Sequence, residues 1–247
     1  MLDIAKSNDV LTLSLNRPDR RNALCTEGMG LLRSALSDAD KDSSIRVIVL
    51  TGVAPAFCAG SDLKELGGLD IAGLCAHEAE TASVARGIAH LTKPVIAAVE
   101  GYALGGGFIL AVSCDLVVTA ANARWHLPEV LNGWIPPWGL GALLARVGPV
   151  KARALTWGAE PIDGNDAHRL GVADALAAPG EALATALVLA SKLAKLPPEA
   201  VKSVKQFYEP FAASEDERLD DVASRLFAQD CESAAAKSTL ARFTVKA

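Results

Sequence analysis

The sequence predicts an α/β fold built on a parallel sheet, and two observations lead to it. Segments that are apolar throughout alternate with segments whose apolar residues recur at helical spacing. The apolar segments are rich in β-branched residues, a composition typical of strands that are covered on both faces. A chain of 247 residues with 51% hydrophobic content is long enough to bury one substantial core.

Four segments carry a strand pattern. Residues 10–15 alternate apolar and polar side chains, as expected of a strand with one covered face. The other three segments, 47–51, 94–99 and 116–119, are dominated by apolar residues, and we expect them to be buried. Gly52 stops the first of these three. Because helical patterns separate the strands, the sequence predicts parallel pairing.

Helical patterns fill the intervals between these strands. Thr26 is a suitable N-cap for a helix that runs to about Asp38. Two further helices are predicted over residues 75–91 and 105–114. The first of them ends before Pro94, since proline disfavours helical backbone in the residue that precedes it. The order strand, turn, helix therefore repeats through the first half of the chain.

The last third of the chain loses its strand patterns. A helix is predicted over residues 181–195. Further helices are predicted near residues 198–209, 215–229 and 231–243. The tail carries large apolar residues that need a packing partner, namely Phe207, Phe211, Leu226, Phe227 and Phe243. We therefore expect a core over residues 1–195 and a helical oligomerisation region over residues 196–247.

Charge and composition exclude several classes of protein. The formal net charge is −5 and the pI is about 5.4, which is the opposite of the basic balance of a nucleic-acid binder. No basic segment followed by an apolar run begins the chain, and no apolar segment is long enough to cross a membrane. The five cysteines include no C-x-x-C pair, which is typical of reduced core residues. We expect a cytoplasmic protein that binds neither nucleic acid nor membrane.

Two small-residue turns are the most informative features of the sequence. The first contains Ala59, Gly60 and Ser61, and the second runs through residues 105–107. Each follows a predicted buried strand and precedes a helix. Backbone N–H groups in such turns are not shielded by side chains. If the turns converge, two main-chain donors can stabilise one developing oxyanion, which predicts chemistry at a carbonyl, most simply that of a thioester.

Other common sites are not supported by the sequence. Residues 101–107 do not follow the G-x-G-x-x-G spacing of a dinucleotide site, and no phosphate-loop motif occurs. Ser61 does not lie in the G-x-S-x-G motif of a serine hydrolase. The four histidines lack the spacing of metal ligands, so we expect no metal.

Six motifs, taken in order, carry a family resemblance over essentially the whole chain. They lie at residues 15–24, 56–65, 93–107, 114–115, 128–129 and 171–174. Together they closely resemble the enoyl-CoA hydratase/isomerase, or crotonase, superfamily. The resemblance implies a crotonase-like spiral of ββα units, a C-terminal helical trimerisation region, and an acyl-CoA thioester substrate. It implies no cofactor beyond the coenzyme A of the substrate, and an assembly that is a homotrimer or a dimer of trimers.

The resemblance also assigns catalytic roles. It implies an oxyanion hole made by the N–H groups of Ser61 and Gly106, with Glu129 as the acid/base. Hydratases of this family use two glutamates, and the position of the first is held here by Ile109, which cannot transfer a proton. One carboxylate suffices to move a proton between two carbons. We therefore expect double-bond isomerisation of an enoyl-CoA.

Several alternatives stay open at this point. The chain could be an enoyl-CoA hydratase, could catalyse another reaction of the superfamily such as thioester hydrolysis or decarboxylation, or could be a non-catalytic acyl-CoA-binding protein. Trp125, Trp134 and Trp138 are expected either to wall the acyl pocket and desolvate Glu129 or to be ordinary core residues. His126 is a candidate second proton-transfer group, against the simpler interpretation of a hydrogen-bonded buried histidine.

Substrate contacts are predicted from the basic residues and from the family positions. Arg20 and Arg21, in a cluster with Arg17, are expected to contact the CoA phosphates. Asp62 is also expected to cap the helix that follows it. The remaining predicted substrate contacts are Ala23, Ala59, Leu63, Gly105, Ile109 and Trp134.

Overall fold

The computed structural model describes residues 1–213 and 216–243. Its strands are β1 (Leu2–Ser7), β2 (Val10–Leu15), β3 (Val47–Gly52), β4 (Val95–Val99), β5 (Tyr102–Leu104), β6 (Leu116–Ala120), β7 (Arg124–His126), β8 (Ile162–Asp163) and β9 (Ala175–Ala177). Its helices are α1 (Thr26–Lys41), α2 (Leu63–Leu66), α3 (Ile71–His90), α4 (Gly106–Val112), α5 (Glu129–Asn132), α6 (Leu140–Trp157), α7 (Gly164–Leu170), α8 (Ala182–Ala194), α9 (Pro198–Ala213), α10 (Asp216–Cys231) and α11 (Ala234–Ala241).

The main sheet, within these residues, has the strand order β1-β2-β3-β4-β6-β9. Its pairs are parallel from β2 to β9, as the sequence predicted, and β1 pairs antiparallel with β2 at the edge. Strands β3 and β4 are buried along nearly their whole length, and α8 packs against both. The strand pattern did not predict β1, because an exposed edge strand needs no continuous apolar run.

A small second sheet, with the order β5-β7-β8, positions the loops of interest. Strand β5 pairs parallel with β7, so Leu104 lies opposite His126 at the ends of the two strands. The Gly105 N–H then donates to the His126 carbonyl at 2.9 Å. The turn that precedes α4 and the loop that precedes α5 therefore leave the sheet side by side.

Two helix starts differ from the predictions. The N-cap of α1 is Cys25 rather than Thr26, and its Sγ accepts from the Gly28 N–H at 3.4 Å. Helix α3 begins at Ile71 rather than near residue 75, because Asp70 caps it by accepting a bond from the Gly73 N–H. Helix α6 was not predicted from the sequence, and its kink at Gly148 interrupts the helical backbone.

The predicted C-terminal helices are present as α9, α10 and α11. Phe227 is buried and its ring meets Trp134 edge to face at 6.2 Å, whereas Phe207 is 66% exposed. The side chain of Phe211 lies outside the described residues. The division at residue 195 and the trimeric assembly stay predictions. No helix in the described ranges has both the length and the apolar character that crossing a membrane requires.

Candidate active site

The two glycine-containing turns meet in the structure. Backbone bonds join the first turn to β5, with the Cys58 N–H donating to Tyr102 and the Leu104 N–H donating to Cys58. This pairing places Gly60 against the start of α4, where a Cβ atom on Gly60 would lie 3.2 Å from the Gly106 nitrogen. The two turns therefore converge, as an oxyanion site formed by both of them requires.

Both predicted backbone donors are free to bind a substrate oxygen. Neither the Ser61 nor the Gly106 N–H meets an acceptor in the part of the chain that the structure describes. Gly106 is the first residue of α4, so helical hydrogen bonding leaves its N–H unused. Gly105, which precedes it, has a φ of +52°, a conformation that glycine adopts without strain.

A small cavity of about 70 Å³ lies over these donors. Ser61, Gly105 and Gly106 line it on one side. Apolar side chains form much of the remaining wall, namely Leu63, Leu66, Ile109, Trp134, Pro136, Pro137 and Trp138. Such an apolar lining lowers the local dielectric and so strengthens any electrostatic interaction inside the cavity.

Glu129 also lines this cavity. It is the first residue of α5, and a Cβ atom on Gly105 would lie 2.7 Å from its Oε1. Its Oε2 is buried and has no hydrogen-bond partner within the described residues. Burial, with a smaller contribution from the charge of Glu78, raises the pKa of Glu129 to about 8. The side chain is therefore protonated at neutral pH and can act as an acid.

A second carboxyl group lines the same cavity and was missed by the sequence analysis. Glu78 lies on the buried face of α3, where its Oε1 accepts from the Ser61 hydroxyl at 2.7 Å. Its Oε2 accepts from the Trp138 ring N–H, also at 2.7 Å. Burial raises the pKa of Glu78, and the two donors oppose this shift. One signal was available: Glu78 falls four residues after Leu74 and four before Ala82, at helical spacing with these apolar residues.

The structure brings most of the predicted site residues together. Those that line the cavity are Ala59, Ser61, Leu63, Gly105, Gly106, Ile109, Glu129 and Trp134. Asp62 and Ala23 do not line it. Asp62 caps α2, as expected, and accepts from Arg17 at 2.9 Å, while Arg17 also donates to the Ala23 carbonyl at 2.8 Å. For these two residues the structure shows a role in holding the loop before α1 against the first turn.

Arg20 and Arg21 also lie outside the cavity, at the end of a short 3₁₀ turn (Pro18–Arg20) and just after it. Both are exposed, and the Arg21 guanidinium lies 5.4 Å from the centre of the Tyr102 ring. Neither arginine forms an ion pair within residues 1–213 and 216–243. Both charges are therefore available to an anion near the first turn.

Two residues beside the site have structural roles instead. Trp125 does not wall the cavity: it is fully buried, donates to the Thr119 hydroxyl at 2.9 Å, and packs edge to face on Phe108. His126 also lies outside the cavity lining, and its Nε2 bonds to the Gly158 carbonyl at 2.7 Å. The simpler interpretation of His126, a hydrogen-bonded residue of the framework, matches the structure.

The sequence model of the enoyl-CoA hydratase/isomerase family matches residues 5–247. This chain belongs to the enoyl-CoA hydratase/isomerase family. Among its relatives, a 2,3-dehydroadipyl-CoA hydratase of Escherichia coli is 39% identical over 83% of this chain and 80% of its own length. A short-chain-enoyl-CoA hydratase of Clostridium acetobutylicum is 34% identical over 82% of this chain and 78% of its own length.

Solved structures confirm the crotonase fold predicted for this enoyl-CoA hydratase/isomerase family enzyme. An enoyl-CoA hydratase/isomerase from Mycobacterium paratuberculosis superposes with a TM-score of 0.88 at 26% identity, over 98% of this chain and 97% of its own. The family resemblance inferred from the six motifs is confirmed. The preference for isomerisation is not, because the two sequence relatives described above are named hydratases.

The proton on Glu129 predicts how the stability of the enzyme depends on pH. An unfolded glutamate ionises near its ordinary pKa of 4.5, whereas the folded state holds the proton until the pH approaches about 8. Between these values the folded state binds more protons, so the free energy of unfolding falls as pH rises, by at most about 1.4 kcal/mol per pH unit. Urea denaturation across this range should show the decline, and Glu129→Gln should reduce its slope. Equal slopes in both proteins would contradict the assignment.

Proposed function

We propose that this enzyme adds water reversibly to the double bond of a 2-enoyl-CoA thioester. One observation carries the proposal: the protonated, buried Glu129 lines the same small cavity as the free N–H groups of Ser61 and Gly106. When a nucleophile adds at Cβ, negative charge develops on the thioester oxygen. The two N–H groups are suited to stabilise that charge, and Glu129 is suited to protonate Cα.

The names of the relatives favour hydration over isomerisation. The Escherichia coli and Clostridium acetobutylicum proteins are both named hydratases. Isomerisation of a 3-enoyl-CoA to a 2-enoyl-CoA is the second candidate, because Ile109 removes the usual first glutamate and a single base can carry that reaction. Both reactions pass through an oxygen-stabilised enolate, so the two backbone donors have the same role in each. The role of Glu129 differs: in isomerisation it must start ionised, because it first removes a proton from Cα and then delivers it to Cγ.

The size of the cavity favours a short acyl group. Its volume is about 70 Å³, and Leu66, Trp134 and Trp138 are buried side chains that close it. A four-carbon chain is therefore the natural first substrate to test. Arg20 and Arg21 are proposed to bind the CoA phosphates outside the cavity, since both are exposed and available near the first turn.

Replacing Glu129 tests its role as the acid. Glu129→Gln keeps the shape of the side chain but cannot transfer a proton, so hydration of crotonyl-CoA should fall by roughly two to four orders of magnitude in kcat. The absorbance of the enoyl thioester reports the reaction. Glu160→Gln, at an exposed position, is the matched control and should keep full activity. A Glu129→Gln enzyme with native kcat would contradict the proposal.

Removing one backbone donor tests the oxyanion hole. Gly106→Pro deletes the N–H at the first position of α4, where proline is tolerated, and should lower kcat by about two to three orders of magnitude. Gly106→Ala is the control because it keeps the N–H, although its Cβ atom would lie 3.1 Å from the Trp138 ring. We expect less than about a tenfold loss for alanine. Equal losses in the two variants would show that bulk, not the missing donor, is responsible.

A further inference from the structure

Hydration needs two proton transfers, and Glu129 can carry out only one of them. Water must lose a proton as its oxygen bonds to Cβ, while Glu129 supplies a different proton to Cα. Ile109 stands where related hydratases carry the group that receives the proton of water. Ile109 is buried and packed tightly against α6, since a Cβ atom on Gly139 would lie 2.0 Å from its Cγ2.

We propose that Glu78 is the second catalytic carboxylate of this enzyme, holding the attacking water and accepting its proton. The group comes from α3, whereas Ile109 is on α4 and Glu129 on α5. A different helix thus supplies the proton acceptor that Ile109 cannot provide. The inference rests on the proposed hydration reaction.

The position of Glu78 supports this role. Its carboxyl group lines the cavity that Glu129 and the two free N–H groups share. Both of its oxygens are held, one by the Ser61 hydroxyl and the other by the Trp138 ring N–H. A catalytic group fixed by two bonds needs little reorganisation during the reaction. Ser61 thereby takes part in both the oxyanion hole and the orientation of Glu78, because its N–H lies at the oxyanion position and its hydroxyl donates to the Glu78 carboxylate.

A purely structural role would not require a carboxylate at this position. A glutamine could accept the Trp138 N–H with its carbonyl oxygen and donate to the Ser61 hydroxyl with its amide. It would avoid the several kcal/mol that burial of an ionised side chain costs. Glu78 is only 6% exposed, and the basic group that acts on its charge is the neighbouring His77, which lowers its pKa without forming an ion pair among the described residues. A carboxylate at this position is therefore better explained by proton transfer than by packing.

The hydrogen bonds also decide which carboxyl group carries the charge. Two side-chain donors bond to Glu78 and favour its ionised form, whereas Glu129 has only its own backbone N–H and its Oε2 has no partner among the described residues. Two like charges in one small apolar cavity are strongly unfavourable, so the pair holds one proton at neutral pH. Glu78 is thus the base and Glu129 the acid when a substrate binds.

The proposed reaction balances with these two groups. Glu78 takes one proton from water, and the water oxygen forms a bond to Cβ. The π electrons of the Cα–Cβ bond move to give an enolate, whose oxygen the N–H groups of Ser61 and Gly106 stabilise. The C=O bond then re-forms as Cα takes the proton of Glu129. The product is the 3-hydroxyacyl-CoA, and one proton returns from Glu78 to Glu129 before the next turnover.

The test compares two reactions in the same variant. Glu78→Gln keeps both hydrogen bonds, so the fold should be retained, as a thermal unfolding curve will show. Hydration of crotonyl-CoA should fall at least about a hundredfold in kcat. Exchange of the α-protons of butyryl-CoA with deuterated solvent, followed by mass spectrometry above about pH 8, needs the ionised Glu129 and the backbone donors but no attacking water. It should fall by less than about threefold. Glu80→Gln, an exposed residue of the same helix, is the matched control and should leave both rates unchanged.

Three results would overturn the inference. Hydration by Glu78→Gln within threefold of the native rate would show that Glu78 takes no proton from water. Loss of both reactions in a folded Glu78→Gln protein would show that Glu78 supports the site without serving water. A native protein that exchanges α-protons but does not hydrate crotonyl-CoA would contradict the proposed function itself, and the inference with it. The first two results leave the proposed function standing.

Discussion

The proposed chemistry depends on two buried carboxyl groups that line one small cavity, where the charge of each disfavours ionisation of the other. Glu129 and Glu78 lie on different helices, and the fold brings them to the same space beside two free backbone N–H groups. Their environments differ in one respect that decides the chemistry. Ser61 and Trp138 donate to Glu78, while Glu129 Oε2 meets no donor in the described structure. In the proposed mechanism this difference makes Glu78 the base and Glu129 the acid.

Backbone geometry creates the rest of the site. Strand pairing through Cys58 and β5 brings the first turn against the start of α4, and the positive φ of Gly105 directs the chain there. The parallel β5–β7 pair then sets the loop of Glu129 beside that turn. Because these contacts are made by the main chain, side chains around the cavity can change while the two donors keep their places. Isoleucine at position 109 fills part of the cavity wall beside the two turns.

Sequence alone predicted the elements whose signals are local. The buried parallel strands and the two glycine turns follow from patterns within a few residues, whereas Glu129 was assigned through the family resemblance. The structure brings these turns and Glu129 together. Glu78 was not predicted, because its role depends on the distance between α3 and α5, and a glutamate within a helix is usually exposed. The pairing of Asp62 with Arg17 was missed for a similar reason, since these residues lie 45 positions apart. Edge strand β1 carries no continuous apolar pattern and leaves no such signal.

Infrared difference spectroscopy tests the central claim, that Glu129 holds the proton and Glu78 the charge, most directly. A protonated carboxylic acid has a C=O stretch that a carboxylate lacks, so the native protein should show this band slightly below neutral pH. The account predicts that Glu129→Gln removes the band and that Glu78→Gln keeps it, because burial is the main cause of the raised pKa of Glu129. A band that survives Glu129→Gln and disappears in Glu78→Gln would place the proton on the other residue and contradict the account.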